Sequence, residues 1–366
     1  MAFDGQALHI NRSDLTQIDV GDLHLSDPGA GQAVLEISSF SLTANNITYA
    51  VAPDQIGYWN FFPSDREGWG HVPVWGFANV VASAHDELTE GQRVYGYFPM
   101  ATHLTIEPGK VSPFTMLDMA AHRQPMAVIY NQYSFTKTDP FYSAETEGLI
   151  SLFRPLFTTS FLLDDFHRRD AAFGASQVIL SSASSKTAIG LAALLHANRI
   201  PGVEVIGLTS PGNRAFTESL GIYDRVENYD AVESIERNAT AFVDMAGDAD
   251  LLRRIHAHFN DQLMNSCRVG LTHWQSTSNW VEGLSGGPKP AFFFAPTYAQ
   301  DRLAEWGREG FQQRMGAAWG AVIGKAEAWV DIREGFGAQA VQSAYLDLLH
   351  NRIDPKQGHI LSMHAG

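Results

Sequence analysis

Residues 176–190 place the strongest constraint on the fold. Val178, Ile179 and Leu180 form a short apolar run between small residues, the composition of a strand buried on both faces of a parallel sheet. From Ala188 to Leu195 small and apolar residues continue in a helix-forming composition. Between the two lie Ser181, Ser182, Ala183, Ser184, Ser185, Lys186 and Thr187, a turn made almost wholly of hydroxyls with one cation. A strand-to-helix turn aims backbone N–H groups and the positive helix end at one point, which suits a phosphate. Val205 to Ser210 supply a second strand, giving a β-α-β unit of dinucleotide-binding size. The glycine fingerprint is missing: Ser182, Ser185 and Ala188 stand where small residues allow close backbone approach. Two other readings stand beside this one. One is an ordinary strand, turn and helix with no ligand. The other is a P-loop around Ser185, Lys186 and Thr187, which would need glycine at Leu180 and Ser185.

From residue 176 strands and helices alternate. Strands are expected at 177–181, 204–209, 240–244, 267–272 and 291–295, and helices at 212–220, 248–260 and 299–319, the pattern of a doubly wound parallel sheet. Residues 1–120 differ. Ala33–Ile37, Phe77–Val81 and Gly91–Tyr97 have strand composition, and turns at Pro28, Pro53, Pro63 and Pro108 break them into the short strands of a small barrel or sandwich. Residues 149–166 have helical spacing, with a break expected at Pro155. Asp164 and Asp165 point in different directions on such a helix and are read as solvated or capping residues. The tail holds a strand over 328–332, a helix over 338–349 and a last strand over 358–363, and most simply rejoins the N-terminal β-rich part.

Composition narrows the function. With 25 basic and 40 acidic residues the net charge is −15, a surface that repels phosphate backbones and argues against nucleic acid. One cysteine, Cys267, rules out an intramolecular disulfide and a cysteine-rich metal site. No stretch is long and apolar enough to span a bilayer, and the first residues carry no basic or apolar leader, so a cytoplasmic protein without membrane contact is expected. His256 and His258 sit two apart, on different faces of a helix, and are read as surface residues rather than metal ligands.

Several stretches share an order with a known family. Ser41–Tyr49 resembles an early active-site loop, and Gly91–Gly96 a G-D-R-V-x-G strand. Gly207–Ser210, Leu220-Gly221 and Val226–Tyr229 resemble the second strand, a helix end and the third strand. Phe242–Gly247 resembles an f-D-x-x-G strand end, and Gly358–Leu361 a terminal G-K-I-V-L. Together they resemble the medium-chain dehydrogenase/reductase superfamily, nearest its zinc-free quinone and enoyl reductases, in a subgroup carrying the Ser-Ser-Ala-Ser-Ser-Lys-Thr turn. The resemblance implies an α/β fold: a Rossmann-type doubly wound parallel sheet plus a GroES-like β-rich domain formed by the N-terminal part and the C-terminal tail. It divides the chain into 1–145 with 322–366 and 146–321, and admits a homodimer. Thr43 stands where the zinc-dependent branch has a cysteine, and Phe77 and Ala78 follow Gly76 where it has His-Glu, so no metal site is expected.

The chemistry can then be assigned to residues. An NAD site places an acid at the end of the second strand; here that place offers Thr209, Ser210, Asn213 and Arg214, which suit a 2′-phosphate and favour NADP (NADPH). Ser182, Ser184, Ser185, Lys186 and Thr187 would meet the phosphates, with Tyr229 near the adenine and Gly247, Thr272 and His273 completing the cofactor set. Without zinc a tyrosine is the usual proton donor. Tyr49 lies in the family-like loop, and Tyr130 and Tyr133 lie in an aromatic stretch with Asn131 as an oxyanion donor. Tyr133 and Lys137 form a Y-x-x-x-K pair, read as chance because it precedes the nucleotide turn. The expected activity is zinc-independent hydride transfer to or from a small carbonyl or enone. The alternative is a ligand-binding protein of the same fold without redox turnover.

Overall fold

A computed structural model describes residues 2–51, 57–269 and 283–366. In chain order the N-terminal elements are β1 (Phe3–Asn11), β2 (Ile18–Leu25), β3 (Ala33–Leu42), α1 (Ala44–Val51), β4 (Trp69–Gly70), β5 (Pro73–Ser83), β6 (Arg93–Pro99), β7 (His103–Ile106), β8 (Pro108–Gly109), β9 (Thr115–Asp118), β10 (Gln132–Phe135) and α2 (Glu147–Arg169). There follow β11 (Gln177–Leu180), α3 (Lys186–Ala197), β12 (Glu204–Thr209), α4 (Arg214–Ser219), β13 (Arg225–Asn228), β14 (Thr240–Asp244), α5 (Ala249–Phe259), β15 (Leu263–Arg268), β16 (Ala291–Phe292) and α6 (Ala295–Trp329). The tail is β17 (Asp331–Phe336), α7 (Ala338–Leu349) and β18 (Gln357–Ser362). The chain divides into two compact units, Met1–Leu152 with Val330–Gly366, and Phe153–Trp329.

The first unit is the GroES-like β-rich part. Its larger sheet runs β17-β18-β3-β5-β6-β10-β9-β8, with β7 also on β3, and a smaller sheet runs β2-β1-β4. The tail does rejoin this unit: β18 lies antiparallel to β3, with Ile360 opposite Ser41, and β17 lies parallel to β18. Leu8, Ile10, Leu35, Ile37, Phe40, Val74, Phe98 and Tyr345 fill the core. Two features of the family-like strand at 91–96 have physical causes. Arg93 makes a two-pronged contact of 2.6 Å on each arm with Glu147, tying β6 to the start of α2. A side chain at Gly96 would meet the Tyr133 ring at 2.2 Å, so only glycine lets β10 pack over β6 there.

The second unit is a parallel sheet in the order β13-β12-β11-β14-β15-β16, the doubly wound order with its switch between β11 and β14. All four residues of β11 are buried, as a central strand flanked on both sides requires. Ile179, Ile206, Leu208, Phe242, Leu252, Ile255 and Phe259 form the core of one layer.

Several expectations are corrected. Helix α2 does not break at Pro155. Proline lacks the N–H that would bond the Ser151 carbonyl, and the Ser41 hydroxyl donates to that carbonyl instead, at 2.7 Å. The last strand of the parallel sheet is only Ala291–Phe292, because Ala295 already begins α6, which runs to Trp329 through a bend at Gly307 (φ +68°). The tail strand therefore starts at Asp331 rather than 328. The β15 strand starts at Leu263, earlier than expected, and 270–272 lie outside the described residues. Asp164 is not solvated: it is buried, paired with Arg168 at 2.8 Å and bonded by Asn198 at 3.0 Å. His256 is not a surface residue either. It is 1% exposed, its Nδ1–H donates to the Gly286 carbonyl and its Nε2 accepts from the Ser266 hydroxyl, both at 2.9 Å.

Candidate functional site

The hydroxyl-rich turn lies between β11 and α3, at the carboxyl edge of the parallel sheet, where open α/β sheets take their ligands. Ser182 has φ +52°, a left-handed conformation that costs a residue with a side chain roughly 1–2 kcal/mol. Its N–H donates to the Tyr229 hydroxyl at 3.0 Å, and its carbonyl accepts from the Ser185 N–H at 2.8 Å. Ala183 is held by both backbone groups: its N–H donates to the Leu208 carbonyl at 2.9 Å and its carbonyl accepts from the Tyr223 hydroxyl at 2.8 Å. Ser184 accepts from the Asn213 side chain at 3.1 Å, so two of the expected cofactor residues meet each other. Ser185 caps α3, accepting from the Ala188 N–H. Lys186 and Thr187 form its first turn, and the Thr187 carbonyl accepts from the Ser160 hydroxyl at 2.8 Å.

At the switch between β11 and β14 a second network closes. Ser181 donates to the Asp244 carboxylate at 3.0 Å and accepts from the N–H groups of Met245 and Ala246 at 2.8 and 3.0 Å. The same Asp244 oxygen accepts from Gly247, which has φ +66°, at 2.9 Å. The other Asp244 oxygen is buried with no partner among the described residues, and burial pushes this carboxyl above the usual range.

Thr209 is buried at the end of β12, with Ser210 following it. Asn213 and Arg214 open α4. The Arg214 guanidinium is shared by Glu218 at 2.8 Å and Glu227 at 3.5 Å, which raises its already high pKa through those bonds and charges. Thr272 and His273 lie outside the described residues.

In the first unit Tyr49, Tyr58, Phe61, Phe62 and Tyr97 form a buried aromatic cluster, flanked by Trp75, Met126 and Tyr130. The Tyr49 and Tyr58 rings are 4.3 Å apart, and Tyr97 and Tyr130 are 5.0 Å apart. The Tyr49 hydroxyl accepts from Asn45 at 2.6 Å, and those of Tyr58 and Tyr130 share a bond at 3.2 Å. The Tyr97 hydroxyl is buried with no partner among the described residues. Burial raises all four phenols, so each holds its proton at neutral pH.

Tyr133 and Asn131 belong instead to a framework around Arg123, which is 1% exposed. Arg123 donates to Asn131 at 3.0 Å, to Asp118 at 2.8 Å, to the Tyr133 hydroxyl at 3.0 Å and to the Tyr130 carbonyl at 2.5 Å. Asn131 donates back to the Arg123 carbonyl at 2.9 Å, and Tyr133 donates to the Tyr97 carbonyl at 3.1 Å. Lys137 is exposed while Tyr133 is fully buried, so the Y-x-x-x-K spacing makes no pair.

Sequence reasoning passed over Tyr58, Phe61, Phe62, Tyr97, Arg123 and Tyr223. For Tyr223 there was a signal. Gly207 interrupts an otherwise apolar strand, and a side chain there would meet Ala183 and the Tyr223 ring, both at 2.9 Å. The run Tyr58-Trp59-Asn60-Phe61-Phe62 marked the cluster, though it lies outside the family-like stretches, between Tyr49 and Gly91.

Comparison with known proteins fits this architecture. A family model described as "protein of unknown function (DUF2855)" matches residues 40–354, and the chain belongs to that family. No curated protein matches its sequence. Among solved structures the chain is similar to CurA from Vibrio vulnificus in complex with NADPH, at 12% identity over 99% of this chain and 100% of that one, with a TM-score of 0.59. It is similar to a candidate NADPH:quinone reductase from Mesorhizobium loti, at 11% identity over 98% of each chain and a TM-score of 0.61. It is also similar to the human synaptic vesicle membrane protein VAT-1 homolog-like protein, at 12% identity over the whole of both chains and a TM-score of 0.53. These likenesses establish the fold over the full chain. Among the described residues no helix is long and apolar enough to cross a membrane, and no group of three or more His, Cys, Asp or Glu could hold a metal ion.

Proposed function

We propose that the chain is an NADP-dependent, zinc-independent oxidoreductase that moves a hydride to or from a small carbonyl or enone substrate. The observation that carries the reading is the turn after β11. It sits at the carboxyl edge of a doubly wound sheet, with a left-handed residue at Ser182 and a capped helix start at Ser185. The residues fit a dinucleotide: Ser182 to Thr187 for its phosphates, Gly247 at the switch point with the Asp244 oxygen that has no partner among the described residues, and Thr209 and Ser210 where an NAD site places its acid. NADPH, when bound, supplies the hydride. The NADPH in the CurA complex and the reductase similar in fold support this choice.

Tyr49 and Tyr130 are the proton donors of this reading, since both keep their protons and neither hydroxyl is committed to backbone. Asn131 and Tyr133 would hold Tyr130 in place through Arg123. The test is fluorescence titration with NADPH and NADH, then a screen of enones, quinones and ketones that follows loss of NADPH absorbance. Tight NADPH binding with turnover supports the reading. Binding without turnover of any carbonyl substrate favours the ligand-binding alternative, and no binding of either nucleotide rejects both cofactor claims.

A further inference from the structure

Ser182 occupies a backbone conformation at φ +52° that glycine adopts freely and a serine does not. Something outside the turn must therefore hold it. The Ser185 N–H to Ser182 carbonyl bond is local and closes the turn from within. The Ser182 N–H, by contrast, is held by the Tyr229 hydroxyl, from a residue 47 positions along the chain, where β13 gives way to a short helix. Ala183 is held in the same manner by the Tyr223 hydroxyl, whose ring fits against Gly207. Two phenols thus brace adjacent residues of a turn in which the glycine fingerprint is absent.

We propose that Tyr229 is a positioning residue: its hydroxyl holds Ser182 in the left-handed conformation that glycine would take, so the turn can cradle a dinucleotide without glycine. The assignment rests on the dinucleotide reading above. It differs from the expectation that Tyr229 packs near the adenine, because here the hydroxyl acts through the Ser182 backbone and the nucleotide need not touch the ring. The consequence is a compensation. Phenylalanine at 229 keeps the ring but removes the acceptor, and glycine at 182 removes the need for it.

The experiment is a cycle of Tyr229→Phe, Ser182→Gly and the double variant, with NADPH affinity by fluorescence titration and melting temperature measured for each. Tyr229→Phe should weaken NADPH about tenfold, equal to about 1.4 kcal/mol. Whatever affinity Ser182→Gly itself shows, adding Tyr229→Phe on that glycine background should weaken NADPH by no more than about threefold, because glycine needs no brace. An unchanged affinity in Tyr229→Phe overturns the proposal. So does an undiminished loss of about tenfold from Tyr229→Phe on the Ser182→Gly background, which would mean that the hydroxyl touches the nucleotide itself. A lower melting temperature with unchanged affinity would make the bond purely architectural and also overturns it. If the unmutated protein binds neither NADPH nor NADH, the dinucleotide reading has failed first, and this assignment falls with it.

Discussion

The two tyrosine-rich places in this chain use one side chain in opposite ways. In the second unit Tyr223 and Tyr229 aim their hydroxyls at backbone groups of residues 182 and 183. In the first unit Tyr49, Tyr58, Tyr97 and Tyr130 pack ring against ring, and their hydroxyls meet side chains or, for Tyr97, no partner among the described residues. A phenol committed to a backbone N–H or carbonyl fixes the shape of a loop. A phenol kept among rings is desolvated, keeps its proton and can be spent on a substrate oxygen. On the proposed reading, the turn is the place where polar groups make form, and the aromatic cluster the place where a proton donor is kept.

The sharpest way to break that contrast is to remove the framework under the cluster. Arg123 and Asp118 are both buried, and truncating the arginine strands a carboxylate in the core. Arg123→Met should destabilise the first unit by about 3–5 kcal/mol in urea unfolding, and adding Asp118→Asn, which removes the charge but keeps an acceptor for the Glu107 and Ala120 N–H groups, should recover part of the loss. Loss of less than about 1 kcal/mol would mean that the cluster stands without this ion pair.

Both units share a second weakness, to acid. His71 in the first and His167 in the second are each buried and pushed down to about 4 by desolvation. Unfolded, each titrates near 6.5, so the unfolded chain takes up protons first as pH falls. Stability should therefore be complete above about pH 6.5 and should decline toward pH 4, by about 2–3 kcal/mol for each histidine. The double variant His71→Gln, His167→Leu should flatten that part of the profile. If it leaves the slope unchanged, other groups set the acid limit.

What could be read from the sequence divides along the same line. The parallel sheet was legible because buried central strands are continuous apolar runs: 177–180, 204–209 and 240–244 announce themselves. The return of the tail was legible from order alone. The helix through Pro155 was not, because the Ser41 hydroxyl that meets the Ser151 carbonyl comes from a residue 110 positions away. Nor was the burial of His256, whose partners Gly286 and Ser266 lie on other elements. Residue types at the turn were readable, but its bracing by Tyr223 and Tyr229 is a tertiary fact, hinted at only by Gly207.

A smaller effect would sharpen the account of the turn. Lys186 begins α3 beside the phosphate position of the proposed reading. Lys186→Met should cost about 1–2 kcal/mol of NADPH affinity with little change in melting temperature, since one partly exposed lysine adds little packing. A fall in melting temperature with unchanged affinity would assign Lys186 to holding the turn, alongside the tyrosines.

The smallest expected effect concerns the choice between NADPH and NADH. Arg214 is the cation nearest in sequence to the end of β12, but its guanidinium already faces Glu218 at 2.8 Å and Glu227 at 3.5 Å. A 2′-phosphate arriving there meets one positive charge and two negative ones, in an exposed place where screening weakens each contact. Arg214→Ala should therefore lower the preference for NADPH by only about threefold, leaving NADH affinity where it was. Glu227→Gln removes one of the opposing charges and should raise the same preference by a similar factor of about three. The two changes must move the NADPH-to-NADH affinity ratio in opposite directions, and salt must shrink both. If Arg214→Ala leaves the ratio unchanged while Glu227→Gln raises it, the 2′-phosphate lies near the acids but is bound by another group. If neither change moves it, charge at this end of β12 does not set the selectivity, and the uncharged Ser210 and Asn213 become the next residues to vary.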